Sequence, residues 1–292
     1  MTRNRYTFGD TDDASTRLRR LAELYERETR DLLERGGVQK PDVAVDLGCG
    51  PGWSTRLVQA VLNPNRTIGL DASERYIVEA RRIQSSTLEF HVHDVTQAPF
   101  PVAPDAILSR FLLTHLSSVG DVLTTWAKTS APGCRLFSHE TESLETDHPT
   151  LRRYYELVGQ LQRHYGQMLL VGGLLESRFE KSGWRVVESR RRALEKPACK
   201  MAQLHLSNLR TWRHDEYAIR SFDAGEIDVL EISLAELAEG TADSGVVKRL
   251  DLVSISEDIA EFVKQLGKEN EVEINAEELK KIEKRLQKVI QE

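Results

Sequence analysis

Cysteine is scarce in this chain: three in 292 residues, Cys49, Cys134 and Cys199, with no C-x-x-C pair among them. That usage argues against a disulfide framework and a structural zinc site, so no metal is expected. Long hydrophobic runs are missing too. No stretch approaches the ~20 apolar residues of a membrane span, and the opening MTRNRYTFGDTDDAS has none of the apolar core of a signal peptide. The expectation is a cytoplasmic protein with no membrane partner. Positive charge is not in excess. The formal net charge is -6 and the pI near 5.8, which provides no general attraction for nucleic acid. The basic run Arg190-Arg191-Arg192 reads as a solvated strand edge.

What the chain does have is a glycine loop. In VDLGCGPGWS (45–54) an aspartate precedes three glycines at alternate positions. Glycine tolerates positive φ and leaves room for a ligand to approach the backbone. Upstream, VAVDL (43–47) reads as a buried parallel strand. Downstream, STRLVQAVL (54–62) has helical spacing, with Ser54 as its expected N-cap. Strand, glycine loop and helix open a nucleotide-binding βα unit with its ligand at the strand's carboxyl end. The pattern D-x-G-x-G-x-G is neither the dinucleotide fingerprint G-x-G-x-x-G nor a Walker A loop, which needs Gly-Lys-Ser/Thr. Two further apolar segments end in acids: RTIGLDAS (66–73) at Asp71 and LEFHVHDVT (88–96) at Asp94. Asp71 stands where the second strand of such a unit grips ribose hydroxyls.

D-x-G-x-G-x-G, then GLDAS, then HDV on successive strands resembles the class I S-adenosylmethionine-dependent methyltransferases, in particular small-molecule enzymes related to quinone-biosynthesis and secondary-metabolite types. The resemblance runs from about Tyr6 to about Ser254. It implies an α/β fold, a Rossmann-like, seven-stranded, mostly parallel sheet with helices on both faces, and S-adenosyl-L-methionine as cofactor. It implies that Asp46 and the backbone at Gly48, Cys49 and Gly50 hold the amino-acid end of the cofactor. Asp71, with Ala72 beside it, would take the ribose, and Asp94 with Val95 the adenine amine. Ser109 and Arg110, ending a fourth strand at 105–111, would line the methionine portion. Tyr6 and Phe8, in YTFGD, are lid candidates because this region folds over the cofactor in similar enzymes.

The rest of the chain extends this core. A first helix is expected over about 14–34, ended by Gly36-Gly37. Helical insertions at about 148–183 and 197–240 would cap the substrate end. Tyr154, Tyr155, His164, Met168, Arg210, Trp212 and Arg213 there are candidates either for a substrate pocket or for the cap's own core. WRVVESRRRALE (184–195) and VVKRLDLVSI (246–255) alternate like sixth and seventh strands. The methyltransferase domain is thus expected to cover 1–255. A helical extension is expected over 256–292, with Ser256 as a cap. There the basic residues switch from 27 Arg and 6 Lys in 1–250 to 1 Arg and 6 Lys in 251–292. Its apolar stripe would pack on the parent domain or a second copy, leaving monomer or homodimer open.

The function expected is methyl transfer to an oxygen, nitrogen or carbon of a small molecule. A non-catalytic cofactor-binding module and an aminopropyl transferase on the same scaffold are the alternatives. His139 and Glu140, at the expected end of the fifth strand, are the candidate catalytic residues: a histidine to accept a proton, a glutamate to orient a substrate hydroxyl or ammonium. His115 in THLSS is expected to begin a helix.

Overall fold

VAVDL is indeed a strand, β1 (Val43–Leu47), and all five of its residues are buried. A continuous apolar run is what a strand needs when helices cover both its faces. The computed structural model describes residues 8–240 and 245–258. Around β1 it assembles β2 (Arg66–Asp71), β3 (Leu88–Val92), β4 (Ala106–Arg110), β5 (Arg135–Glu145), β6 (Trp184–Pro197) and β7 (Val246–Asp258), in the order β3-β2-β1-β4-β5-β7-β6. The first five are mutually parallel, while β7 runs antiparallel between β5 and β6. Strand order reverses at β1, so the chain leaves the carboxyl ends of β1 and β4 toward opposite faces of the sheet and a crevice opens between the two connections. The expected seven-stranded, mostly parallel sheet is the one observed.

Helices cover both faces, and two short ones, α4 (Glu74–Ala80) and α9 (Glu216–Ser221), pack against β3 and in the cap. On one face, α2 (Glu26–Arg35) and α3 (Trp53–Leu62) bring Leu32, Leu33 and Val58 onto Phe137 and Val253. On the other, α5 (Val119–Thr129) and α7 (Leu175–Lys181) place Trp126 and Phe179 against Ile107 and Leu136. A separate core joins α6 (Pro149–His164), α8 (Ala198–Trp212) and α10 (Ala224–Glu239) into a cap around Leu157, Met201, Trp212 and Leu234. The expected 148–183 insertion therefore divides: α6 belongs to the cap and α7 to the sheet. Among the described residues, no helix is long and apolar enough to cross a membrane.

Three local expectations are corrected. The first helix is two, α1 (Asp12–Leu24) and α2, broken at Tyr25 (φ -120°, ψ 13°). The ring of Tyr25 is buried beneath Lys196 and Arg249, each 4.7 Å from its centroid. Helix α3 is capped by Gly52, because Ser54 Oγ is engaged 2.6 Å from Asp46 Oδ2. Strand β7 continues through Asp258, with Ser256 paired to Leu136 and Val186, so Ser256 is a strand residue and not a helix cap. The amphipathic segment beyond it lies outside the described residues.

Basic residues cluster on the edge strand β6, where ion pairs hold them: Arg191 with Glu142 (3.0 Å) and Glu176 (3.2 Å), Arg192 with Asp31 (2.8 Å).

Gly52 tests the loop. Its φ is +90°, and a Cβ there would lie 2.8 Å from the Phe90 ring. Gly52→Ala combines left-handed strain with overpacking and is expected to lower unfolding free energy by about 1–3 kcal/mol. Urea denaturation checks this; an unchanged midpoint would mean the loop relaxes freely.

Candidate active site

The turn out of β1 is fixed by backbone hydrogen bonds. Gly48 and Cys49 both donate N–H to the Leu70 carbonyl, at 2.8 and 3.1 Å, and Gly50 donates to Asp71 Oδ2 at 2.8 Å. Gly48 and Gly50 adopt positive φ, 68° and 53°. The loop is thereby pinned to the end of β2 with its inner surface bare of side chains.

A cavity of about 930 Å³ opens over this loop and runs under the cap. Of the residues expected to bind cofactor, Asp46, Gly48, Cys49, Gly50, Asp71, Ala72, Asp94, Val95 and Arg110 line it together. Ser109 does not: it is fully buried and its Oγ has no hydrogen-bond partner. Tyr6 lies outside the described residues. Phe8 does line the cavity, with its ring edge-on to His115 at 5.2 Å. The segment carrying Phe8 is tied down by Tyr76 Oη donating to the Gly9 carbonyl (2.8 Å) and by Ser73 Oγ donating to Asp10 (2.7 Å).

The acids differ in their surroundings. Asp46 accepts from Ser54 Oγ (2.6 Å) and Thr55 Oγ1 (2.7 Å), yet burial outweighs those bonds and pushes its carboxyl up to about 6. Burial also raises Asp71, against hydrogen bonds from the backbone of Ser73 and Gly50. Asp94 is exposed at the mouth, where one oxygen closes a turn on Thr96 N–H (3.0 Å) and Thr96 Oγ1 (2.7 Å). Arg110, half-buried, donates to Thr29 Oγ1 at 3.1 Å and faces Asp46 across the loop.

His139 and Glu140 are placed differently from expectation. Neither lines the cavity, and both are wholly buried. Strand β5 does not end at residue 140 but continues to Glu145, so both sit within the strand and point to opposite faces of the sheet. His139 Nε2 lies 3.0 Å from Asp251 Oδ2; burial holds the imidazole neutral despite that partner. Glu140 Oε1 accepts the N–H groups of Leu112 (2.8 Å) and Leu113 (2.7 Å), and burial pushes its carboxyl up to about 8. Those two bonds anchor the turn after Phe111, whose φ of 51° is a strained conformation for a non-glycine residue. Both residues are therefore structural supports of the cavity wall.

The inner end of the cavity is built from residues the sequence reading did not single out. Arg17 comes from α1, Thr141 from β5, His205 and Asn208 from α8, and Arg249 from β7. His115 ends a short 3-10 turn and faces the cavity, which corrects its expected role as a helix start. Tyr154 and Tyr155 line this end, with Tyr155 Oη 2.9 Å from His205 Nε2. The other cap candidates do not reach it. Trp212 fills the cap core, His164 stacks on Tyr217 at 4.0 Å, Met168 is exposed, and Arg210 and Arg213 pair with Glu231. Gln162 Oε1, His205 Nδ1 and Asn208 Oδ1 are buried at this end without a hydrogen-bond partner. One signal for these residues existed: charges at 249 and 251 inside an otherwise apolar strand pattern.

Comparison with known proteins agrees with the geometry. The methyltransferase-domain family profile matches residues 44–133, the span from β1 to the start of β5. Trans-aconitate 2-methyltransferase of Methylobacterium nodulans is 34% identical over 128 residues, 44% of this chain and 49% of that protein. The enzyme of that name from Variovorax paradoxus is 28% identical over 163 residues, 53% and 62% of the two chains. This chain thus spans about half the length of the curated relatives it matches. Haemonchus contortus phosphoethanolamine N-methyltransferase 2, solved with phosphomonomethylethanolamine and S-adenosylhomocysteine, shares the fold at a TM-score of 0.54 and 14% identity, over 88% of this chain and 60% of that one. Residues 44–133 are thus similar to the methyltransferase-domain family, and the strand order and glycine loop agree with that similarity.

Proposed function

We propose that this protein transfers the methyl group of S-adenosyl-L-methionine to an oxygen, nitrogen or carbon nucleophile of a small molecule. The observation that carries this reading is a single cavity that joins the glycine loop and its acids to a capped inner end lined with unpartnered polar atoms. The residues fit the cofactor. A Cβ at Gly48 would come within 2.8 Å of Leu112, so the loop surface stays bare only with glycine, and Trp53 Nε1 is buried beside it without a partner. Asp46 and Arg110 would take the ammonium and carboxylate of the amino-acid end, Asp71 the ribose hydroxyls and Asp94 the adenine amine.

When bound, the cofactor supplies a methyl on a positively charged sulfur, which a nucleophile displaces in line. The chain's contribution is alignment in a site shielded from water, which can account for much of the barrier reduction. Phe8 and the bonds of Tyr76 and Ser73 close the mouth side. Glu140 fixes the wall between the two ends by holding Leu112 and Leu113. His115 and His205 are both held to about 3, mainly by burial, so each is neutral at working pH and able to orient an acceptor without adding charge.

Tritium from labelled cofactor should pass into a component of a metabolite extract, and trans-aconitate, named for the relatives, is a defined first acceptor. Folded protein that binds S-adenosylhomocysteine yet labels nothing would favour the non-catalytic module. Asp71→Asn should weaken S-adenosylhomocysteine binding by ~1.5–3 kcal/mol, the worth of a hydrogen bond to a charged group; calorimetry reads this directly. The raised Asp46 makes a pH prediction. Below about 6 it carries a proton and loses the charge that attracts the ammonium. Affinity for S-adenosylhomocysteine should fall as pH drops through 6, towards about tenfold per unit, and Asp46→Asn should flatten that slope.

A further inference from the structure

The inner end of the cavity holds a guanidinium whose donors are only partly used. Arg249 Nε and Nη2 both bond Asp251 Oδ1, at 3.2 and 2.9 Å, and Nη2 also donates to Thr141 Oγ1 at 2.5 Å. Among the described residues, Nη1 forms no hydrogen bond. The guanidinium lies 4.7 Å from the Tyr25 ring centroid and 5.1 Å from that of Phe111, so aromatic packing fixes its plane. Because Thr141 Oγ1 accepts from Arg249, its own proton remains to be donated. Two adjacent donors, Nη1–H and the Thr141 hydroxyl, thus belong to residues that line the cavity, and the described residues supply no acceptor for either.

The two ends differ in charge: Arg110 stands among the carboxylates of the loop end, whereas the charged residues of the inner end are arginines. The carboxylates lining the cavity, Asp10, Asp46, Asp71 and Asp94, all belong to the cofactor loop and mouth, whereas Arg17 and Arg249 line the inner end. The acid nearest Arg249, Asp251, is fully buried behind it and does not line the cavity. His205 registers the resulting field: after burial, the charges of Arg249 and Arg17 act to keep it unprotonated. Leu144, Tyr155 and Met201 add apolar surface beside the polar groups of Gln162, His205 and Asn208.

We propose that the methyl acceptor is a carboxylic acid with an apolar body, its carboxylate bound by Arg249 Nη1 and the Thr141 hydroxyl and its body lying against Leu144, Tyr155 and Met201. Two adjacent donors match the two oxygens of a carboxylate in number. Asp251 behind Arg249 already uses part of its charge, which disfavours a dianion such as a phosphate monoester. The carboxylate is a handle here; no bond to it is made or broken. The inference rests on the methyl-transfer reading only for the word acceptor, and its residues lie outside the 44–133 family match.

Equilibrium binding tests it without turnover. Protein loaded with S-adenosylhomocysteine is titrated with 4-phenylbutanoate, 4-phenylbutanamide and 4-phenylbutyl phosphate, which share one apolar body. The carboxylate is expected to bind at least about tenfold tighter than the amide, a factor typical of one charge-assisted contact, and tighter than the phosphate. Arg249→Gln should erase the preference while S-adenosylhomocysteine affinity stays within threefold. The neutralised pair Arg249→Gln with Asp251→Asn serves if the single variant fails to fold. Thr141→Val, of similar shape and suited to a strand, should reduce the preference severalfold. Equal binding of amide and carboxylate, tighter phosphate, no measurable carboxylate binding, or a preference that survives loss of Arg249 would each overturn the proposal. Absence of methyl transfer would instead count against the methyl-transfer reading and leave the carboxylate preference as measured.

Discussion

Asp251, a carboxylate with no exposed surface in the middle of β7, constrains much of what surrounds it. A buried charge left unmatched costs about 3–5 kcal/mol when one partner is removed. Here the match comes from Arg249 two residues along the same strand and from His139 on the neighbouring strand. Burial alone would raise Asp251, but the His139 hydrogen bond and the Arg249 charge prevail and hold it below the usual carboxylate range. The consequences propagate outward. Arg249 lies against both Tyr25, at the break between the first two helices, and Phe111, where the chain leaves β4, and those two rings also meet edge-on. Three layers, the amino-terminal helices, the parallel sheet and the antiparallel β7, meet at this one charge.

The part of the site legible in the sequence is the part whose geometry is local. A loop that must turn sharply with a bare surface calls for glycine, and the acids that follow β2 and β3 are separated from it by single βα units. Asp46, Gly50, Asp71 and Asp94 could therefore be named from spacing, and they line one cavity. His139 and Glu140 were misplaced because position near a strand end does not say where the strand stops. β5 pairs with the long β7 up to Glu145↔Lys248, and that pairing draws the strand past residue 140. The result is that Thr141 reaches the cavity while its two predecessors become supports.

Arg249 illustrates the complementary limit. Its role depends on the register that sets Asp251 opposite Thr141, an antiparallel pairing across more than a hundred residues of chain. Local pattern reports only that a lysine, an arginine and an aspartate interrupt an apolar strand. Such interruptions in a strand covered on both faces require partners, and the identity of those partners is a property of the tertiary fold. The same holds for Tyr25, whose apolar periodicity fits a continuous helix until the cations above its ring are known.

The cavity is accordingly two constructions in one space. Its outer end comes from β1, β2, β3 and the loops after them, within the segment shared with the methyltransferase-domain family. Its inner end comes from α1, α6, α8, β5 and β7, elements that lie wholly or mostly outside that segment. A fold shared by many proteins does not determine the substrate, and here the division is physical: Asp46, Asp71 and Asp94 stand on one side with Arg110, and Arg17 and Arg249 on the other. A neutral His115 and His205 between Arg17 and Arg249 mean that the inner end gains no further positive charge from histidine at working pH. The sign of its field is set by the two arginines alone among the residues that line it, and those arginines are brought together by the breaking of one helix at Tyr25 and the antiparallel insertion of one strand.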